Sequence, residues 1–558
     1  MLIDAIVENA RIRTLDPARP TATRLGTLHG RVVGLDEDLD GVRARQVHDL
    51  GGATVLPGFH DAHQHLSKRG QRARWLDLHH PGVPDLEALY RAVAERAATL
   101  PRDAWVFGGG YDQNKIGGHP TADALDRVAG GRPVWVEHVS GHMGVANTAA
   151  FARAGHPGRQ GVPDVEGGAV ARADGLPTGL LQETAQRLVR TAFRPFPVEE
   201  VVADIAAGSR MALAEGTTSV TEPGVGAIDH IGSSHLDLHA FQLAADRGLL
   251  GVRMTVMPYL TLLHPVGAGM PDQDWYGLDV GIRTGLGNDR LRLGPAKVLS
   301  DGSLIGRSAA MRCCYAGEPD NAGFLQWDPQ ALTEVLVAAH ASGWQLAAHA
   351  IGDAAIDVAL DAFELAQRRH PRPDVRHRIE HFAVADDQQV ARAAALGIVP
   401  VPQGRFVSEL GDGMLAALGP ERARTCYRMR SLLDAGMVLP GSSDAPVAHG
   451  APLLGIHDMV NRRTGSGAPF GPDERLTPAQ AVEAYTRGSA YAVHQERDKG
   501  TLRAGMLADL VVLSADPLAV PEDEIAGIEV RATFVGGELA HEAAPGRAGK
   551  PHSGPLRP

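Results

Sequence analysis

The stretch Pro57-Gly58-Phe59-His60-Asp61-Ala62-His63-Gln64-His65-Leu66 decides how the rest of the chain is read. It follows the apolar run Ala53-Thr54-Val55-Leu56, so its first part is expected to be a short strand that ends in chemistry. Side chains at i and i+2 of a strand share a face, and on that reading His63 and His65 bring two imidazoles to one point. Imidazole is a ligand for zinc, nickel, iron or manganese, so a chelating pair asks for further ligands elsewhere. An isolated His-x-His is more often a surface feature, and the remaining sequence has to supply the partners.

Working outward, both ends of the chain read as β structure, with runs at 5–7, 10–12, 30–34 and 53–56 and again at 508–513 and 528–535. Two terminal β segments suggest one small β domain closed by both ends, 1–57 with 498–543, followed by a tail at 544–558 without fixed structure. Between them, strand-like runs alternate with helical periodicity at 85–100, 198–215, 329–342, 354–369 and 478–493, the pattern of a parallel α/β architecture over 58–497. His65 and Lys297 are separated by more than three βα units of roughly 30 residues each, which predicts an insertion at about 70–200.

Composition narrows the function classes. The 558 residues are 44% hydrophobic and 22% charged, ordinary globular values, and the net charge of −12 leaves no basic footprint for nucleic acid. Three cysteines, Cys313, Cys314 and Cys426, are too few for a disulfide framework. The N-terminus lacks a basic segment followed by an apolar one, and no run approaches about 18 apolar residues, so a soluble cytoplasmic protein with no membrane partner is expected.

The missing ligands appear in four stretches. Lys297 lies in Pro295-Ala296-Lys297-Val298-Leu299, His349 in Ala348-His349-Ala350-Ile351-Gly352-Asp353, His381 in Arg378-Ile379-Glu380-His381, and Asp444 in Gly441-Ser442-Ser443-Asp444-Ala445-Pro446. Apolar runs precede the last three, and the C-terminal ends of barrel strands are where such folds keep active sites. With these residues the chain resembles the amidohydrolase superfamily, and within it amidohydrolase family 3, the group that includes N-substituted formamide deformylase. The likeness extends to Gly-Tyr-Asp-Gln-Asn at 110–114, Ser-Gly-His at 140–142 and the run at 499–510.

The resemblance implies a distorted (β/α)8 TIM barrel with a small β-sandwich domain, two divalent ions, zinc foremost, and a homodimer. His63, His65 and Asp444 would hold the more buried ion, and His349 and His381 the more exposed one. Lys297 would bridge them as an N6-carboxylated side chain, since a carbamate supplies two anionic oxygens where an ammonium would be repelled. Two metals roughly 3.5–4 Å apart would activate a bridging water, and Asp444 would shuttle its proton to the departing amine in hydrolysis of a carbon–nitrogen bond. His142 is a candidate hydrogen-bond donor to the substrate carbonyl. Tyr111, Asp112 and Gln113 are candidate pocket residues, Asp301 and Arg307 a candidate ion pair behind the ligands, and Cys313-Cys314 a packing pair. The substrate is expected to be a small N-formyl or N-acyl amine. A deaminase or cyclic-amide hydrolase of the same superfamily, against which Lys297 counts, and a non-catalytic binding homologue are the other readings.

Overall fold

The computed structural model describes residues 1–267 and 275–544; the expected tail at 544–558 lies, beyond Ala544, outside them. The stretch before the histidine pair is two strands rather than one. Thr54–Pro57 pairs antiparallel with Leu510–Leu513 in a six-stranded sheet built from both ends of the chain. Phe59–Asp61 pairs parallel with Thr217–Val225 in a different sheet. A second terminal sheet holds Leu2–Glu8, Leu25–Leu28, Arg31–Leu35 and Arg43–Asp49.

Two four-stranded parallel sheets carry the centre of the molecule. In one, Phe59–Asp61, Thr217–Val225, Arg253–Pro258 and Leu291–Leu293 lie side by side; in the other, Ala296–Leu299, Leu346–Ala350, Arg378–His381 and Val399–Val401. A parallel bridge between Tyr259 and Lys297 joins them. Among the described residues no closed barrel forms. The segment 437–441, where a last strand is expected, makes no ladder; Gly441 accepts from Ala62 N at 2.9 Å.

The helical periodicities appear as Leu86–Thr99, Val198–Ala214, Pro329–Ala341 and Asp353–Arg369. Side-chain caps start two of them: Asp85 accepts from Ala88 N at 2.8 Å and Asp328 from Ala331 N at 2.9 Å. The stretch 478–493 is not one helix. Pro478–Glu483 widens into a π turn at Ala484–Gly488 before Ser489–Tyr491, and the carbonyl of Ala484 accepts from Gly441 N at 2.8 Å.

The insertion contributes a six-stranded sheet over residues 76–183. The helix Leu66–Arg72, which leads into it from the histidine pair, lies in backbone contact with Val198–Ala214. A Cβ on Gly70 would sit 1.8 Å from Asp204 O, and one on Gly208 2.2 Å from Leu66 O, so any larger residue at either position forces the helices apart. That contact fixes the chain immediately after His65. No helix among the described residues is long and apolar enough to cross a membrane.

Candidate metal centre and catalytic pocket

The strand Phe59–Asp61 stops before the histidines, so His63 and His65 sit on the turn after it and not on the strand. The cause is Asp61. Its buried carboxylate accepts from His63 N at 3.1 Å and Gln64 Nε2 at 2.8 Å, and also from Ser443 N at 3.1 Å and the Ser443 hydroxyl. One side chain thus ties the His63 turn to the Asp444 loop. Asp444 N donates to His63 O at 2.7 Å and His65 N to Ala445 O at 2.8 Å, locking the same junction.

Asp444 Oδ1 lies 3.3 Å from Nε2 of both His63 and His65, and the three donor atoms fall within 4.8 Å of one another. Lys297, His349 and His381 line the same pocket. Register places them: Leu299 stands opposite His349, and Ala350 opposite His381, on adjacent parallel strands. The rings of His63 and His381 are 5.3 Å apart and those of His349 and His381 4.5 Å. His381 (φ 72°) and Asp444 (φ 57°) both hold left-handed backbone, costly for residues with a Cβ and characteristic of functional sites.

Each imidazole except His65 has one nitrogen engaged behind it, leaving the other for a ligand. His63 Nδ1 meets Glu380, which is gripped by Arg378 Nε at 2.7 Å and Nη2 at 2.9 Å. His381 Nδ1 is 2.7 Å from Gln403 Oε1. His349 Nε2 is 3.1 Å from Gly302 O and 3.2 Å from Asp301. Such partners fix ring orientation and raise ligand basicity. Burial holds His65 down at about 4 and pushes His349 and His381 well below the usual imidazole range, so they are neutral, the form that binds metal. Burial also lowers His63, but the carboxylates of Glu380 and Asp444 outweigh it.

Lys297 is 1% exposed, and its Nζ has no hydrogen-bond partner. Burial brings the amine down to about 8. An orphaned buried amine among imidazoles and a carboxylate is costly to maintain without a ligand. The donor set of imidazoles and carboxylate is that of a divalent metal, and these residues fit one.

The insertion reaches this pocket through His142, whose ring is 5.0 Å from that of His349. Its Nδ1 is 2.7 Å from Glu183 Oε2, and Glu183 also accepts from Ser308 Oγ at 2.6 Å and Gln326 Nε2 at 2.9 Å. Burial works against charge on His142, yet the Glu183 carboxylate outweighs it and raises its pKa. Glu183, Glu380 and Gln403 were not singled out from sequence. Glu380 stands beside His381 in the quoted motif, but its partner His63 is 317 positions away.

Other expectations fall differently. Tyr111 is fully buried with its hydroxyl 3.1 Å from His119 Nδ1; Asp112 caps a short helix through Asn114 N at 2.9 Å; Gln113 Nε2 donates to Ile305 O at 2.9 Å. Gln113 ties the insertion to the loop at 303–306, Tyr111 and Asp112 act within the insertion, and none of the three lines the pocket. Asp301 and Arg307 do not pair: Arg307 binds Glu318, while Asp301 accepts from Ala310, Ile351 and Gly352 N at 2.9–3.1 Å. Cys313 is exposed rather than packed, with Arg422 Nη1 3.1 Å from its sulfur. Beside His381 and Asp444 the cavity continues into an apolar recess walled by Leu304, Ile305, Phe406, Leu410 and Met414.

Comparison with known proteins agrees with this geometry. A family model described as the amidohydrolase family matches residues 46–541. N-substituted formamide deformylase of Arthrobacter pascens is 30% identical over 553 residues, covering 97% of this chain and 98% of that protein. The Arabidopsis thaliana protein LONG AFTER FAR-RED 3 is 31% identical over 551 residues, covering 96% and 91%. The crystal structure of an uncharacterized metal-dependent hydrolase from Pyrococcus horikoshii superposes with a TM-score of 0.72 at 26% identity, covering 93% of this chain and 99% of that one. That likeness gives the parallel sheets a TIM-barrel-type fold with a second domain. The chain therefore belongs to the amidohydrolase family, as a metal-dependent hydrolase of carbon–nitrogen bonds.

Proposed function

We propose that the protein cleaves the C–N bond of a small N-formyl or N-acyl amine, using two divalent ions. His63, His65 and Asp444 would hold one ion and His349 and His381 the other, with Lys297, N6-carboxylated, between them. The observation that carries this reading is the Lys297 amine, buried and unpartnered among the other ligands. Burial favours the neutral amine, the form that takes up carbon dioxide. When bound, the ions would lower the pKa of a water and polarise the substrate carbonyl.

The chain's own residues handle the protons and the substrate. His142, protonated against Glu183, donates to the carbonyl oxygen as negative charge builds there. Asp444 accepts the proton released by the attacking water and returns it to the amine nitrogen as the C–N bond breaks, leaving formate or another carboxylic acid and a free amine. The recess of Leu304, Ile305, Phe406 and Met414 takes an apolar substituent and keeps water from it.

The test is formate or acetate release from a panel of N-formyl and N-acetyl amines by protein reconstituted with zinc and bicarbonate, beside Asp444→Asn. Turnover abolished in the variant supports the reading. Release of ammonia from aminated rings, with no acid from any panel member, would replace it with the deaminase reading.

A further inference from the structure

The same pocket contains a cluster of cations that takes no part in the ligand set. Lys68 and Arg72 lie one turn apart on the helix that starts after His65, and Arg190 comes from the helix Arg187–Arg190. All three line the cavity. They converge on Glu137: Lys68 Nζ at 2.6 Å and Arg190 Nη2 at 2.8 Å on Oε1, Arg72 Nη2 at 2.9 Å on Oε2. The side chains of Lys68, Arg72, Arg190 and Glu137 are 12%, 10%, 5% and 1% exposed, so three cations share one carboxylate away from bulk water.

That arrangement is short of negative charge. Of the other carboxylates on the pocket wall, Asp444 is engaged with His63 and His65, Glu183 is taken up by His142, Ser308 and Gln326, and Asp229 is exposed. Donors remain: Nε of Arg72 and Nε of Arg190 are buried without partners, and Lys68 Nζ donates only to Glu137 among the described residues. Buried cations that outnumber their counter-ions are costly unless a ligand supplies the missing anion, and guanidinium forks match a carboxylate. A substrate seated with an apolar substituent in the recess and its scissile carbonyl at the ligand cluster shares the cavity with this cationic wall.

We propose that Lys68, Arg72 and Arg190 bind a carboxylate of the substrate, so that the enzyme acts on N-acylated amino acids with an apolar side chain. The proposal rests on the N-acyl amine reading above, and its test separates the two. Binding of 3-phenylpropanoate and of 3-phenylpropanol is measured by calorimetry on the metal-loaded protein, in wild type, Lys68→Met, Arg72→Met and Lys68→Arg. Neither probe needs turnover. The expected result is that the propanoate binds wild type more tightly than the alcohol, weakens about tenfold or more in both methionine variants, and recovers in Lys68→Arg. The alcohol should change by less than about twofold, which also shows that the variants fold.

Equal affinity of the propanoate for wild type and both variants would place its carboxylate on the metal and overturn the wall, as would a wild type that does not prefer it over the alcohol. In turnover, N-formylphenylalanine should exceed N-formyl-2-phenylethylamine about tenfold in kcat/KM, and Lys68→Met should remove that preference through KM. Equal or better use of the uncharged compound overturns the proposal. If neither compound is cleaved while binding stays selective, the N-acyl amine reading fails and the carboxylate site stands.

Discussion

Replacing Lys297 by Met should make the metal-free protein more stable while disabling its metal centre. Burial lowers the amine from 10.5 to about 8 with no hydrogen bond in return. Below both values the folded state carries the whole penalty, because an unfolded lysine holds its proton more tightly. At about 1.4 kcal/mol per pH unit, that fall amounts to about 3 kcal/mol at pH 7. Methionine keeps most of the volume and removes the charge. For a chain of this length, with an unfolding entropy of about 2 cal/mol/K per residue, the gain is a rise of about 2–3 °C in the unfolding midpoint of chelator-treated protein. Loading with zinc and bicarbonate should reverse the order, since wild type gains binding energy that the variant lacks. Plasma mass spectrometry should find about two metals per wild-type chain and fewer in Lys297→Met, and a native mass spectrum should show one added carbon dioxide only in wild type. A metal-free variant less stable than wild type, or one that binds the same metal complement, would refute the reasoning.

Glu380→Gln leaves Arg378 with no buried counter-ion and loosens the His63 ring; metal affinity by competition with a chromogenic chelator should fall about 10–100-fold. Glu183→Gln removes the charge that holds the His142 proton, so the alkaline limb of the kcat/KM profile should move to lower pH; an unmoved limb would release His142 from its role. Lys499 is 6% exposed, donates to Ser219 Oγ at 2.9 Å, and is lowered by burial to about 7. A depressed lysine costs stability fully below its folded pKa and progressively less as pH rises from 7 toward 10.5, so wild type should gain about 1.4 kcal/mol per pH unit from this residue over that window. Lys499→Met should flatten the dependence of the unfolding midpoint between pH 7 and 9, and an unchanged slope would assign the charge elsewhere.

The ligand residues could be read from sequence because few things other than chemistry place His349 and His381 at the ends of apolar strands. Their supports could not. Glu183, in the inserted sheet, and Gln403, after the strand Val399–Val401, belong to no periodicity, and each acts on a histidine remote in the chain. Alternation along a strand is the simplest way to align two side chains, and the sequence of His63 and His65 points to it. Asp61 instead breaks the strand and aligns them through a turn, and that is a tertiary effect involving Ser443. The long periodicity at 478–493 was interrupted for a similar reason: the π turn offers the carbonyl of Ala484 to Gly441, a partner that helical spacing does not reveal. In place of the expected Asp301–Arg307 pair, the Asp301 carboxylate faces three backbone N–H groups and His349, while Arg307 binds Glu318.

The antiparallel pairing of Thr54–Pro57 with Leu510–Leu513 has a consequence for biosynthesis. The strand that leads directly into the first ligands is made long before the strand that pairs with it. At about 5–20 residues per second, a ribosome takes on the order of 20–90 s to cover that interval. Throughout it, one edge of Thr54–Pro57 is open, and Asp444 is still untranslated for most of the time. A truncation just before Leu510 would release the strand that leads to His63 although it removes none of the proposed ligands.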